Sequence, residues 1–206
     1  MTEKKRTSQS NKKGKSDQKK NRNIKRTIIK IVGFLIIAFI VLALIGILLF
    51  AYYAWKAPAF TESKLQDPIP AKIYDKDGEL VKTIDNGQRR EHVELDEVPK
   101  GMKDAVLATE DNRFYSHGAL DYKRLFGAVA KNITGGFGSQ GASTLTQQVV
   151  KRSFLTDKKS IARKAQEAYL SYRLEQEYSK DEIFEMYLNK IYYSDGVYGV
   201  KAAAKY

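Results

Sequence analysis

The stretch PKGMKDAVLATEDNRFYSHG, residues 99–118, contains the helix on which the fold prediction rests. Pro99 is typical of a helix start, and Met102 and Val106 follow at a spacing that places them on one helix face. Glu110 and Phe114 continue this spacing, so at position 110 a carboxylate stands where the pattern calls for another apolar residue. The stretch therefore predicts an amphipathic helix that carries one acidic side chain on its buried face.

Glu110 is for this reason the first candidate catalytic residue. A carboxylate removed from water is costly unless a partner compensates its charge, and Arg113 would lie one turn further along, next to Phe114. A partly desolvated carboxylate is suited to accept a proton as a general base. The same pattern also occurs in surface Glu–Arg pairs at helix ends, and the residues alone leave both interpretations open.

Four further segments show apolar residues at helical spacing, so the chain beyond residue 98 is predicted to be mainly α-helical. Three of them begin with a capping signal, namely Asp121 as an N-cap and the capping boxes at residues 144–147 and 179–182. The apolar faces are expected at Leu125, Val129 and Ile133, at Leu145 and Val149, at Ile161, Ala165, Ala168 and Tyr172, and at Ile183, Tyr187 and Ile191.

A small β entry precedes these helices. Residues 71–84, AKIYDKDGELVKTI, form two short alternating runs around an Asp-Lys-Asp-Gly sequence, which predicts a β-hairpin. Residues 56–70 hold three prolines among polar residues and predict an extended linker. The predicted fold class is therefore mainly α with a small β entry.

Residues 31–55 contain no charged side chain, and these 25 positions lie between Lys30 and Lys56. At ~1.5 Å per residue, a helix of this length spans the ~30 Å hydrocarbon core of a bilayer with some tilt. A buried core helix rarely runs this long without a charge, and the apolar part of a cleaved signal peptide is only ~7–15 residues long. The segment therefore predicts a single, uncleaved transmembrane helix.

The positive charge of the chain is concentrated in front of this helix. Residues 1–30 hold twelve Lys or Arg against two acidic residues, a local charge of +10, which leaves only +2 of the total +12 for the rest. Basic segments flank membrane spans on the cytoplasmic side, and Tyr52, Tyr53 and Trp55 are typical of the opposite interface. We therefore expect a cell-membrane protein with a cytoplasmic N-terminus, an extracellular C-terminal domain and no nucleic-acid partner.

Two further patterns bear on which chemistries are available. Residues 136–141 match G-x-G-x-x-G, but a dinucleotide site would follow a strand of a parallel sheet, whereas a helix precedes this loop. The chain has two histidines, His92 and His117, and no HExxH motif, so no set of ligands for a catalytic zinc ion is predicted. His117, beside Gly118, is interpreted as a hydrogen-bonding residue near a helix end.

Polar donors follow the glycine loop. Ser143 precedes a predicted helix on which Gln148 and Lys151 lie one turn apart. Hydroxyl, amide and ammonium groups in this arrangement suit sugar hydroxyls and a phosphate. A well-capped helix alone would explain the local sequence, but it would not explain this set of donors.

A charged line is predicted on the next helix. Lys159, Arg163 and Glu167 are spaced by four, so they would share one face if all three are helical. A solvated ladder of ion pairs has the same spacing. Together with Lys151, however, the line would place three cations around one carboxylate, which is the kind of clamp that a pyrophosphate requires.

Four blocks of the sequence resemble, in order, the signature blocks of the peptidoglycan glycosyltransferase domain of class A penicillin-binding proteins and monofunctional transglycosylases. They are EDNRFYSHGALD, GASTLTQQVVKRSFL, RKAQEAYLSYRLE and KDEIFEMYLNKIYYSDGVYGVKAAAKY. The resemblance runs from about residue 98 to the end, looks closest to the bifunctional staphylococcal members, and fits the basic tail and single anchor. It implies a lysozyme-like helical fold at the outer membrane face that polymerises lipid II into glycan strands.

The resemblance also implies roles for individual residues. Glu110 and Glu167 match the two glutamates of the family's catalytic site, and Glu110 would deprotonate the acceptor's sugar 4-hydroxyl during an inverting transfer that releases undecaprenyl pyrophosphate. The positions that match the family's binding site for substrate and for the inhibitor moenomycin are Arg113, Phe114, Ser143, Gln148, Lys151, Lys159 and Arg163. Some relatives use a divalent cation, Mg²⁺ or Mn²⁺, at the pyrophosphate. Expected partners are lipid II, the growing glycan chain, membrane lipid and other cell-wall synthesis and division proteins.

The predicted organisation is a basic tail (1–30), a transmembrane anchor (31–55), a linker with a hairpin (56–97) and a glycosyltransferase domain (98–206). The family's domain continues through further helices, and bifunctional members add a penicillin-sensitive transpeptidase domain, so we expect this chain to be an N-terminal fragment. Two alternatives to the glycosyltransferase are a lytic glycan hydrolase of similar fold, which would not need the three cations together, and a non-catalytic membrane-anchored scaffold.

Overall fold

The computed structural model describes residues 3–67, 71–84, 87–135 and 141–206. The chain forms two compact units, Met1–Tyr52 and Tyr53–Tyr206. The described residues are mainly helical with a few short strands, which confirms the predicted fold class.

Helix α1 runs from Glu3 to Trp55 and makes up the described part of the first unit. Its apolar part, Lys25–Trp55, is the one stretch among the described residues that is long and apolar enough to span a membrane. Large side chains on it are exposed, with Phe34 at 71% and Phe39 at 73%. An exposed apolar surface of this size requires a covering partner, and the surface fits a single membrane-spanning segment.

The second unit begins with two small β-structures. Strands β1 (Ala71–Tyr74) and β2 (Leu80–Ile84) form the predicted antiparallel hairpin. Its turn is fixed by the carboxylate of Asp75, which accepts hydrogen bonds from the backbone N–H groups of Asp77 at 2.9 Å and Glu79 at 2.8 Å. Gly78 supplies the left-handed conformation that the turn requires, with φ of +82°.

A second strand pair joins distant parts of the chain. Strand β3 (Arg89–Arg90) lies parallel to β4 (Val197–Tyr198). The sequence did not predict this pair, because two residues are too few to show the alternation that identifies a strand.

Six α-helices lie among the described residues of the second unit, and three of them enclose its core. The helices are α2 (Lys100–Glu110), α3 (Tyr122–Gly135), α4 (Leu145–Phe154), α5 (Ile161–Glu177), α6 (Lys180–Lys190) and α7 (Val200–Lys205). Helix α4 packs against both α5 and α6. The apolar side chains at this junction are fully buried: Leu145, Val149, Val150, Leu170, Leu174, Ile183 and Leu188. Burial of one such side chain contributes roughly 1.5–3 kcal/mol, so α4 is held firmly at the centre of the unit.

The capping predictions are confirmed. Thr144 with Gln147 and Ser179 with Glu182 form complete capping boxes at the starts of α4 and α6. The Asp121 carboxylate accepts a hydrogen bond from the backbone N–H of Arg124 at 2.9 Å, as expected of an N-cap of α3. Local hydrogen-bonding chemistry therefore sets where these three helices begin.

The predicted apolar face of α5 is wrong. Ile161 is 84% exposed and Tyr172 is 60% exposed, whereas the buried face of α5 contains Leu170, Leu174 and also Glu167. Because a carboxylate occupies the buried face, the apolar pattern pointed to the wrong side of the helix.

The stripes predicted for α2 and α3 need smaller corrections. Helix α2 ends at Glu110, so Phe114 is not on it but in a short 3-10 turn, Phe114–Ser116. On α3, Leu125 is exposed. The other predicted α3 positions, Val129 and Ile133, lie outside the side chains that the structure describes, and the glycine loop at 136–140 lies outside the described residues.

Candidate functional site

Glu110 is the last residue of α2, and its side chain is half-buried. Its Oε2 accepts a hydrogen bond of 2.8 Å from the Nε2 of Gln148, which stands in the first half of α4. Among the described residues, Oε1 of the same carboxylate has no hydrogen-bond partner. The structure thus brings together two predicted site residues that are 38 positions apart in the chain.

Asp111 fixes the end of α2 against the start of α4. Its side chain is 1% exposed, and its Oδ2 accepts a hydrogen bond from the backbone N–H of Leu145 at 3.2 Å. Its Oδ1 lies 2.8 Å from Nε2 of His117. Negative charge at a helix N-terminus is favourable, so Asp111 stabilises α4 and ties its start to the end of α2, where Glu110 lies. Sequence reasoning did not name Asp111, although an acidic residue directly after Glu110 was visible.

Arg113 pairs with Asp121 and not with Glu110. The expected pairing assumed that the helix continues for another turn, but α2 ends at Glu110. Burial raises the pKa of Asp121, but hydrogen bonds from the backbone N–H of Arg124 and from the Arg113 guanidinium outweigh it and hold the pKa below its usual value. Asp121 is therefore an ionised, buried group that holds the Arg113 side chain and caps the start of α3 at the Arg124 backbone.

A cleft of about 620 Å³ lies beside Glu110. Its charged lining comprises Glu110, Arg113, Asp121, Lys123, Arg124 and Lys131. Four of these six side chains are cationic, so the cleft suits a substrate that carries negative charge.

The phenol of Tyr187, on α6, interacts electrostatically with the carboxylate of Glu110. Burial, and then the negative charge of Glu110, raises the pKa of the Tyr187 phenol far above its ordinary value. The phenol is therefore neutral at physiological pH. The sequence predicted Tyr187 only as part of an apolar face, which its burial confirms.

Glu167 is the second carboxylate of the site, and it is 2% exposed on the buried face of α5. Its Oε2 lies 3.2 Å from Nη1 of Arg163, and its Oε1 pairs with Lys164. The Lys164 ammonium also donates a 2.8 Å hydrogen bond to the hydroxyl of Ser143. This network joins α5 to the segment that leads into α4.

The charged line predicted on α5 is only partly correct. Arg163 and Glu167 pair as expected, but Lys159 is exposed and precedes Ser160, the N-cap of the helix. Lys164, and not Lys159, provides the ammonium group that pairs with Glu167. Its spacing of three from Glu167 also favours contact in a helix and could have identified it.

Lys151 is half-buried on α4, one turn after Gln148. Within the part of the chain that the structure describes, its ammonium forms no ion pair or hydrogen bond with another side chain. Because α4 packs against α5, Lys151 belongs to the helix pair that also carries Arg163 and Glu167.

Phe114 departs from its predicted role as a substrate contact. Its ring is 1% exposed, and it packs against Phe184 with a centroid distance of 6.0 Å. The ammonium of Lys180 lies 4.5 Å from the ring centroid on another side. Enclosed in this way, Phe114 supports the turn after Glu110 and does not reach the cleft.

Two groups of described residues have ligand atoms close enough to hold a metal ion: Asp111, His117 and Asp121, and His92, Glu94 and Glu185. The first group does not fit a divalent cation as it stands, because Arg113 pairs with Asp121 and the Arg124 guanidinium lies 4.0 Å from Asp111. The second group does not line the cleft beside Glu110. The cation at the pyrophosphate stays a prediction, since Mg²⁺ takes much of its coordination from water and from the phosphates themselves.

Residues 77–206 match a protein-family model described as transglycosylase. The chain is 45% identical to penicillin-binding protein 1A/1B of Bacillus subtilis over 97% of its own length and 21% of that protein. It is 40% identical to penicillin-binding protein 1A of Streptococcus oralis over 88% of the chain and 29% of the relative. It is 46% identical to penicillin-binding protein 1A of Escherichia coli over 66% of the chain and 16% of the relative.

These matches extend beyond the four quoted blocks. An alignment that covers 97% of the chain includes the apolar helix as well as the second unit. The chain spans less than a third of the length of each of these relatives. A particular closeness to the staphylococcal members stays a prediction.

Proposed function

This chain belongs to the transglycosylase family, and we propose that it is a membrane-anchored peptidoglycan glycosyltransferase that polymerises lipid II into glycan strands. The family match covers the whole site, from the hairpin to Tyr206. The observation that carries the proposal is the hydrogen bond from Gln148 to one oxygen of Glu110, because it leaves the other oxygen available as a base.

Glu110 takes the proton of the acceptor sugar's 4-hydroxyl. Gln148 holds Oε2, so Oε1 is the oxygen that receives the proton. As the hydroxyl loses its proton, its oxygen attacks the anomeric carbon of the donor from the face opposite the lipid pyrophosphate, and the anomeric configuration inverts. One carboxylate base is sufficient for this step, because an anionic pyrophosphate leaves without protonation.

The cations of α4 and α5 stabilise the departing pyrophosphate. The Nη1 of Arg163 donates a hydrogen bond to Glu167. The Nε of the same guanidinium is buried and has no hydrogen-bond partner among the described residues. A buried donor without a partner is costly, and an anionic oxygen would satisfy it. Lys151 adds a second cation that no described carboxylate neutralises. Glu167, with both oxygens paired, orients Arg163 and Lys164 and does not act as a second base.

The apolar helix places this chemistry where the substrate is. We propose that Lys25–Trp55 crosses the cell membrane once, with the basic tail in the cytoplasm and the second unit outside. Lipid II is itself held in the bilayer by its polyprenyl tail, so a tethered enzyme searches a surface and not a volume. The proposed partners are lipid II, the growing glycan chain and the lipids around the anchor.

The test is a pair of matched substitutions in the full chain, reconstituted with lipid II in detergent or liposomes. Glu110→Gln removes the base but preserves size and hydrogen bonding, and it should lower the rate of glycan formation roughly 10²–10⁴-fold. Glu79→Gln, the same change at an exposed position of the hairpin, should leave the rate unchanged. Gel separation of labelled glycan products reads both, and a Glu110→Gln rate within twofold of the parent would refute the assignment.

A further inference from the structure

Arg124 lies in the first turn of α3 and makes two main-chain contacts that the proposed mechanism has not used. Its Nη1 donates a hydrogen bond to the carbonyl oxygen of Glu110. Its Nε donates to the carbonyl oxygen of Gly141 at 3.2 Å. The same guanidinium lies 4.0 Å from the carboxylate of Asp111.

The first contact satisfies the end of the helix that presents the base. The carbonyl of Glu110 is the last in α2, so it has no N–H group of the same helix to accept from. The C-terminal end of a helix also carries partial negative charge, which a cation stabilises. Arg124 supplies both the missing donor and the positive charge at the backbone of Glu110.

The second contact reaches the partner of the base. Gly141 begins the segment that leads into α4, and Gln148 of α4 donates to the Glu110 carboxylate. The donors of a guanidinium are fixed in one plane, so they set the spacing of the two carbonyl oxygens they bind. One side chain therefore couples the backbone that carries Glu110 to the backbone that leads to Gln148.

We propose that Arg124 is a positioning residue that holds Glu110 and Gln148 in register for proton transfer. This inference rests on the proposed glycosyltransferase function. Arg124 lines the cleft, but its Nε and Nη1 donate to main-chain carbonyl oxygens, so its proposed role is exerted through the main chain. Loss of the contact should therefore lower the rate of the chemical step and leave substrate affinity unchanged.

The test compares Arg124→Ala and Arg124→Lys with Lys100→Ala in the full chain. Lys100 stands at the opposite end of α2 with its side chain 85% exposed, so its variant controls for the loss of one positive charge. Misplacement of a catalytic group by about 1 Å costs up to ~10²-fold, so kcat for lipid II should fall roughly 10- to 100-fold in Arg124→Ala. KM should stay within about twofold. Arg124→Lys should recover part of kcat, since it keeps the charge and one donor.

A rise in KM with kcat preserved would show that Arg124 binds substrate, and it would overturn the inference, as would an unchanged kcat. Hydrogen exchange supplies a readout that needs no activity. Amides of residues 107–111 and 141–145 should exchange faster in Arg124→Ala than in Lys100→Ala, and equal exchange would also overturn the inference. If the parent chain makes no glycan, the proposed function fails, whereas the exchange comparison still decides whether Arg124 couples the two segments.

Discussion

Replacement of Glu167 with glutamine should destabilise the fold far more than the same replacement of Glu177 on the same helix. Both glutamates pair with an arginine four residues earlier on α5, at 3.2 Å for Arg163–Glu167 and 2.8 Å for Arg173–Glu177. The difference is burial, because the Glu167 side chain is 2% exposed and that of Glu177 is 44% exposed. The pair of variants therefore isolates the effect of removing water from an ion pair.

The magnitude follows from what each variant leaves behind. Glu167→Gln leaves Arg163, with its side chain only 16% exposed, without a counter-charge, and it removes one partner of Lys164. Breaking a buried pair by removing one partner costs about 3–5 kcal/mol. Because the Lys164 side chain is 48% exposed and can be hydrated, the lower end, about 3 kcal/mol, is expected. Glu177→Gln breaks a solvent-exposed pair that water screens, so it should cost far less than Glu167→Gln.

Thermal unfolding of the full chain in detergent, followed by circular dichroism, measures the difference. For a chain of this size 1 kcal/mol lowers Tm by about 2–4 °C, so Glu167→Gln should lower Tm by about 6–12 °C. Glu177→Gln should lower Tm by much less, because its pair is exposed to water. Equal shifts in the two variants would refute the view that the buried network around Glu167 holds α5 in place.

Two further predictions concern a glycine with positive φ and the buried carboxylate that lines the cleft. Gly199 and Gly78 have φ of +83° and +82°, but a Cβ at Gly199 would lie 2.9 Å from the carbonyl oxygen of Asn189 while Gly78 has open space. Gly199→Ala should therefore lower Tm clearly more than Gly78→Ala, which carries only the conformational cost of ~1–2 kcal/mol. The pKa of Asp121 is lowered in the fold, so its stabilising contribution is complete above the unfolded-state pKa of ~3.9 and is lost as pH falls through the lower native value. Asp121→Asn should reduce stability at neutral pH and flatten the loss of stability on acidification, as measured by denaturant unfolding from neutral pH to about pH 2.

Much of the fold could be predicted because its signals are local. The capping boxes at Thr144 and Ser179 and the turn at Asp75 each depend on hydrogen bonds between residues at most four positions apart. The apolar helix can be recognised from its length and from the absence of charged residues. Such signals are complete within a short window of sequence, so no knowledge of the packing is needed to read them.

The candidate site was predictable in its residues but not in its connections. Gln148 reaches Glu110 across 38 positions, and Asp111 reaches Leu145 across 34. No spacing rule covers such contacts, because they depend on how α2 meets α4. The helix-based assignment of Arg113 to Glu110 failed for a related reason. Helix α2 ends at Glu110, and the side chain of the next residue, Asp111, accepts a hydrogen bond from the backbone N–H of Leu145 at the start of α4.

The charges around Glu167 favour a transferase over a lytic hydrolase of similar fold. Here Arg163 and Lys164 both pair with Glu167, and Nε of Arg163 remains buried without a partner among the described residues. The helix pair α4–α5 thus holds more donors than its one buried carboxylate can use. A pyrophosphate would accept from the remaining donors, whereas a glycan without phosphate would leave them unsatisfied.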